Sequence, residues 1–375
     1  MSKGGHLTRT HVSDGSRTRQ IWFRTSPAIP FLQGNTADLW APPTLLAAMR
    51  RGGRLVFTEP VSEDRRSGME QIQDLMTSWF PERMQRVEIE APQPDSNWLR
   101  AWRESRRSKE QLRNRGSIAC FTGGVDSFYT LMQHPEVDAV VWAAGLDIPL
   151  AEKRMLARVR RQNRESARQA GVGFVTFRTN LHAYLRQSNV WWGKEGHGTA
   201  LATMGMLLSP LFHTLLIPST HSAEVDVQWG SHRLLDPLWS TSRMRIVHDG
   251  GVINRAGKII ALADHVPAQQ SLRICYSQFQ VDNCGKCMKC LRTMALLAGL
   301  DRLESFPTFP ALDLDALAAV ELKRPNEFLG MRDILKVLED SGRHPEIADA
   351  VRASIAGSAA RDPLNPANAV NNGQS

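Results

Sequence analysis

The eight residues Cys120-Phe121-Thr122-Gly123-Gly124-Val125-Asp126-Ser127 constrain this chain more than any other stretch. They follow an apolar run, 117–121, that reads as a buried strand, and they lead into a helix-like run, 127–132. Strand, glycine turn, helix start is the order that builds a phosphate cradle. Gly123 and Gly124 let the backbone take positive φ and approach an anion closely. Thr122 and Ser127 add hydroxyls, and the free amides at a helix start point toward negative charge. The spacing excludes two commoner loops. No Lys follows Gly124, as the Walker type requires, and the G-x-G-x-x-G dinucleotide spacing is absent.

The rest of the chain reads as an α/β protein. After the loop, 137–144 is a near-continuous apolar run, as in a parallel strand buried on both faces. A helix follows over 150–170, then strand 173–178, helix 197–211, strand 213–217 and strand 243–248. This alternation predicts a doubly wound, Rossmann-like parallel sheet over 111–300. Ligands of such sheets sit outside the carboxyl ends of the strands. That rule places the glycine loop, the 144–148 turn, the 178–180 turn and the 219–222 turn on one pocket rim. Ahead of it, 18–92 reads as a small β-α-β-α-β unit of its own, joined by a helix over 97–112 to make an N-terminal domain of 18–110. Residues 1–17 read as disordered, 301–357 as helices and 358–375 as a frayed tail.

With 375 residues, 42% hydrophobic and 22% charged, the chain has the composition of a soluble globular protein of about two domains. The longest apolar stretch, 204–218, is broken by Ser209, Pro210 and His213, so a cytoplasmic protein without a membrane partner is expected. Net charge is +8, concentrated in Arg-rich runs over 100–115 and 153–168. These read as solvated helix faces, with a phosphate-facing surface for nucleic acid as the sharper alternative.

Four of the five cysteines fall in one cluster, C-x8-C-x2-C-x2-C, at Cys275, Cys284, Cys287 and Cys290. Four thiolates in a chain without a secretory signal point to a metal rather than disulfides. A closed tetrahedral Zn²⁺ site would be structural. An iron–sulfur cluster is the rival, but the fourth ferredoxin position is Met294. Cys120 reads as an inert strand residue.

The Thr122–Ser127 loop resembles the PP-loop, S-G-G-x-D-S, of the ATP pyrophosphatase superfamily, with Thr122 in place of the first Ser. Together with the cysteine spacing, it makes 115–300 similar to the 7-cyano-7-deazaguanine synthase family and its relatives in bacterial defence and biosynthetic loci. The resemblance implies strand order 3-2-1-4-5, cleavage of ATP between the α and β phosphates, and adenylation of a carboxylate such as 7-carboxy-7-deazaguanine. An amine or ammonia would then attack to give an amide or nitrile. It implies that ATP is held by Phe121, Thr122, Gly123, Gly124, Val125, Asp126, Ser127, Gly145 and Leu146, with Asp126 near Mg²⁺. The family's substrate motifs are replaced here by the segment from Gly145 to Pro149 and by that from Gly196 to Thr199. The partners expected are ATP and a small carboxylate; a protein or nucleic-acid acceptor and a homodimer stay open.

A polar, aromatic stretch between the third and fifth strands supplies further candidates. Asp126, Ser127, Lys194 and His197 are expected at the chemistry, and Trp192, His221, Glu224, His232 and Asp236 at the substrate. Paired Trp with Lys and His suits a flat heterocycle bearing a carboxylate; a surface loop whose tryptophans plug the core is the alternative. Competing functions are a thiolase-type tRNA-modifying enzyme, for which only Cys120 is left as nucleophile, and a nucleotide-binding partner without turnover.

Overall fold

The computed structural model describes residues 6–25, 36–93, 116–224, 227–275 and 282–362. Nine strands are described: β1 (Leu7–Ser13), β2 (Thr18–Thr25), β3 (Arg54–Val56), β4 (Glu88–Glu90), β5 (Gly116–Cys120), β6 (Ala139–Ala144), β7 (Gly173–Thr179), β8 (Phe212–Pro218) and β9 (Arg245–Asp249). Seven form one sheet in the order β1-β2-β7-β6-β5-β8-β9. The five strands β7-β6-β5-β8-β9 are parallel, in the order expected from the sequence.

Parallel strands need crossovers, and these cover both faces. Helices α1 (Ala37–Arg51), α2 (Glu63–Trp79), α5 (Leu181–Gln187) and α6 (His197–Leu208) share one core with Ile118, Cys120, Val141 and Phe177. On the other face, α3 (Val125–Gln133), α7 (Arg255–Leu262), α8 (Val266–Ser271) and α9 (Met288–Gly299) pack with Ala119, Phe121, Val140 and Leu216. Helix α4 (Lys153–Gln169) covers Trp142 and Ala144. Alternate residues of β5 and β6 thus feed opposite cores, as the two-residue strand period requires. All six residues of β6 are buried, which explains its unbroken apolar run.

Three expectations are corrected. Residues 7–13 are not disordered: they form β1, paired antiparallel with β2 from Leu7↔Arg24 to Ser13↔Thr18. The strand signal there is a period-two pattern carried by Thr8, Thr10 and Val12 against exposed neighbours, with little hydrophobicity to announce it. The region 18–92 is not a domain of its own. β2 pairs with β7, and Ile21 and Phe23 are fully buried in the same core as Phe177. Only β3 and β4 form a separate, two-stranded parallel sheet. Proline inside a helix is expected to shorten or kink it, yet Pro42 and Pro43 lie buried within α1, which runs unbroken from Ala37 to Arg51. The linking helix expected over 97–112 lies outside the described residues.

The helical expectation for 301–357 holds in α10 (Leu314–Ala318), α11 (Pro325–Ser341) and α12 (Pro345–Gly357). Phe328, Met331, Ile334 and Val351 bury with Phe128 and Met294, so these helices complete the core behind the glycine loop. Of the expected tail, 359–361 form a 3-10 turn and 363–375 lie outside the described residues. Among the described residues, no helix is long and apolar enough to cross a membrane.

Because β2 is built into the main core, Phe23→Ala should lower the stability of the whole chain by about 3–5 kcal/mol, the usual cost of emptying a buried Phe site. A single denaturant transition should move as one. Loss confined to the first of two transitions would restore an independent N-terminal domain.

Candidate functional site

The glycine loop leaves β5, the central strand, where the crossovers reverse direction between β5 and β8. In sheets of this kind, ligands bind at such a switch point, outside the carboxyl ends of the strands. Gly123 has φ +76, and a Cβ there would lie 2.9 Å from Asn163 Oδ1. Its carbonyl accepts from the Arg273 amide at 2.8 Å. Ser127 Oγ accepts from the amides of Thr122 (3.3 Å) and Gly124 (3.1 Å) and donates to the Gly124 carbonyl (3.0 Å). The Ser127 hydroxyl is therefore spent on shaping the turn rather than offered to a ligand. Phe121 and Val125 are core residues that anchor the loop; Thr122 is exposed on it.

Cations gather at this loop. Asp126, at the start of α3, meets Arg255 Nη2 at 2.5 Å and Lys258 Nζ at 3.2 Å, both from α7. Burial alone would raise the Asp126 carboxyl, but Arg255 and Lys258 win and hold it below its ordinary value. Lys258 is itself buried and donates to the Ser219 carbonyl at 2.6 Å. Lys289, in the first turn of α9, feels Arg255 and Asp126; burial first, then Arg255, pushes its ammonium down to about 7. Among the described residues, Asn163 Nδ2 beside the turn has no acceptor, and neither has Arg273 Nε, whose backbone joins the turn while its Nη2 lies 3.9 Å from Met155 Sδ. Unmet buried donors cost free energy unless something fills them.

An aromatic line runs from the β6 turn toward the loop. His182 stacks on Trp192 at 4.1 Å; Trp192 and His197 lie 6.2 Å apart, His197 and Trp229 5.8 Å, and Trp229 and His221 5.5 Å. The line hangs from a π-helical turn, Trp192–Gly196, of the kind often found at functional sites. That turn is pinned by the fully buried Glu195, which accepts from Arg83 Nε at 2.5 Å and from the Trp191 amide at 2.7 Å. Burial lowers His197 despite Asp236 and Asp147. Burial, then Arg255, pushes His221 down to about 4.

The structure sorts the sequence candidates. Asp126, Trp192, His197 and His221 share this rim. Gly145 and Leu146 sit at the β6 turn, where the Leu146 carbonyl accepts from His182 at 2.6 Å. Lys194 does not join them: it is exposed, with Nζ 5.6 Å from the Trp191 ring. Glu224 is exposed and its field reaches Asp333 of α11. His232 is buried edge-on against Trp79 of α2, at 4.9 Å. Asp236 is fully buried and accepts from Ser231 Oγ (2.6 Å) and His248 Nδ1 (2.7 Å). His248 Nε2 lies 2.8 Å from Ser219 Oγ, which in turn donates to the His221 carbonyl at 2.5 Å. This line fixes the turn after β8, so Asp236 supports the rim from behind.

The four cysteines converge. All four Sγ atoms lie within 4.8 Å of one another, with Cys275–Cys287 at 4.0 Å and Cys284–Cys290 at 3.8 Å. A zinc tetrahedron with Zn–S near 2.3 Å needs sulfurs about 3.8 Å apart. Amides of Lys286 and Cys287 donate to Cys284 Sγ, and Gly285 turns the knuckle at φ +69. Asn283 closes the ring: its Oδ1 accepts from the Ile274 and Cys275 amides and its Nδ2 donates to the Leu272 carbonyl. The cluster can hold a metal such as zinc. Since α9 starts inside the knuckle, the same turn that would bind the metal carries Lys289 toward Asp126.

The residues missed from the sequence are Asn163, Arg255, Lys258, Arg273 and Lys289. An i, i+3 pair of cations on α7 was the available signal for Arg255 and Lys258. No protein family, curated protein or solved structure matches the chain.

Metal analysis of the purified chain should give about one zinc, and Cys287→Ser should lower both zinc content and melting temperature; iron with visible absorbance would contradict the closed thiolate site. Unfolded His221 titrates near 6.5 and the folded form near 4, so the unfolded chain binds more protons between these values. Stability therefore falls on acidification through that window. His221→Asn should lose less melting temperature between about pH 6.5 and pH 4 than the parent; an equal loss would contradict the burial of a neutral His221.

Proposed function

We propose that the chain is an ATP-dependent, adenylate-forming enzyme of the PP-loop type, acting on a carboxylate such as 7-carboxy-7-deazaguanine or a related acid. The observation that carries this reading is a positive-φ glycine turn faced by Arg255, Lys258 and Lys289, with the buried donor Asn163 Nδ2 beside it unmet among the described residues. Such a set suits a polyphosphate better than any neutral ligand.

In this reading a substrate carboxylate oxygen attacks the α-phosphorus of ATP. The bond to the β-phosphate oxygen breaks and pyrophosphate leaves with its electron pair. Arg255, Lys258 and Lys289 stand where the departing charge accumulates, and preorganised charges of this kind stabilise the transition state. Ammonia or an amine then attacks the acyl carbon and AMP leaves. His221, kept neutral by burial, is the imidazole nearest the loop's charges and can take the amine's proton. The Trp192–His197–Trp229 line suits stacking of a flat acid. Both oxygens of Asp126 are engaged by cations, which does not fit a ready magnesium ligand, and no step depends on one. The thiolase alternative loses its nucleophile, because Cys120 is buried in β5 with its thiol pushed up by burial.

The test is exchange of labelled pyrophosphate into ATP, with and without the acid. Acid-dependent exchange is expected in the parent and a loss of about 100-fold or more in Arg255→Gln, the scale of removing one transition-state donor. Asp126→Asn should lose exchange as well and lower stability by roughly 3–5 kcal/mol, because it strands the buried Lys258. ATP binding without exchange under any acid tried would favour a nucleotide-binding partner protein.

A further inference from the structure

A second cationic site lies where α4 meets the edge of the sheet. The edge of the sheet there, β7-β2-β1, forms a groove of about 790 Å³ with α4. Arg24, Arg178, Lys153 and Arg160 line it, with Leu7 and Leu156 supplying apolar surface, and among the described residues no acidic side chain lines it. None of the four cations makes an ion pair among the described residues.

The strand register makes this arrangement costly without a ligand. Arg24 of β2 lies directly opposite Arg178 of β7 in the antiparallel pair. Like charges facing each other across a ladder repel, and nothing in the groove offsets them. Lys153 and Arg160 are seven residues apart on α4, on one helix face. From Lys153 to Arg160 the lining cations therefore run about 10 Å along the helix at 1.5 Å per residue, and Arg24 and Arg178 extend the charge across the groove. A mononucleotide's phosphates do not span that length. An extended anionic polymer does, with successive phosphates along the helix and across to the strand pair.

We propose that this groove binds single-stranded nucleic acid, with Arg24, Arg178, Lys153 and Arg160 on its phosphates. The Arg-rich run over 153–168 is then a ligand surface on one side of α4, while the buried side of the same helix brings Asn163 to the glycine loop. The site stands independently of the adenylation chemistry.

The test uses the full chain and a fluorescein-labelled single-stranded 12-nucleotide RNA, read by anisotropy across salt from about 50 to 200 mM. Binding that weakens with salt is expected. Arg24→Gln with Arg178→Gln should weaken it about tenfold and reduce the slope of log affinity against log salt by about 1.4, the −0.7 per phosphate of a single strand for two lost contacts. Lys153→Gln with Arg160→Gln should do the same, and it carries the test should the strand pair fail to fold. Arg352→Gln, on α12, should bind as the parent does. No binding at the lowest salt, unchanged affinity and slope in both double variants, or full competition by ATP at equal phosphate concentration would each overturn the proposal.

Discussion

Lys258 is the residue on which the site depends. Its stem is buried, its ammonium lies 5.7 Å over the Tyr129 ring, and its Nζ joins the Asp126 carboxylate to the Ser219 carbonyl. One buried cation thus ties the helix after β5 to the turn after β8, across the crevice where the sheet changes direction. A buried ammonium is tolerable only with such partners. The arrangement fixes Asp126 and the mouth of α3 in place before any ligand arrives, which is the preorganisation that electrostatic catalysis needs.

Around that pivot, each neighbouring element contributes by a different physical route. The glycine turn gives close approach, and the serine inside it spends its hydroxyl on holding the turn. The cysteine knuckle sets the start of α9, and with it Lys289. The buried Asp236–His248–Ser219 line stiffens the β8 turn that presents His221. The C-terminal helices, which carry none of these groups, supply the apolar backing that keeps α3 and α9 against the sheet.

Much of this was legible in the sequence. Unbroken apolar runs alternating with helical periodicity give the parallel sheet, because such a sheet buries both faces of each central strand; the strand order comes from the resemblance carried by the glycine loop and the cysteine spacing. The cysteine spacing gives the sulfur cluster, because a short knuckle leaves few other ways to place four thiols. Where the reading failed, the cause was long-range geometry. The polar β1 hides its period in threonines, and β2 looks like the start of a local unit until its pairing with β7 is seen. Lys194 and Glu224 sit close in sequence to rim residues yet are exposed, while His232, edge-on to Trp79, lines the same small cavity as His221. Arg255 and Lys258 matter because a residue more than 120 positions away is their partner, and no local pattern shows that.

The central claim is that the Thr122–Ser127 loop and its cations form a pyrophosphate site. Direct titration of the full, metal-loaded chain with inorganic pyrophosphate, followed by melting temperature, tests it with no assumption about the acid or the nucleophile. The parent should be stabilised as pyrophosphate saturates, by the amount that ligand linkage gives for binding to the folded state alone, and Arg255→Gln should lose most of that shift. A flat response in the parent, or an equal shift in both proteins, would contradict it.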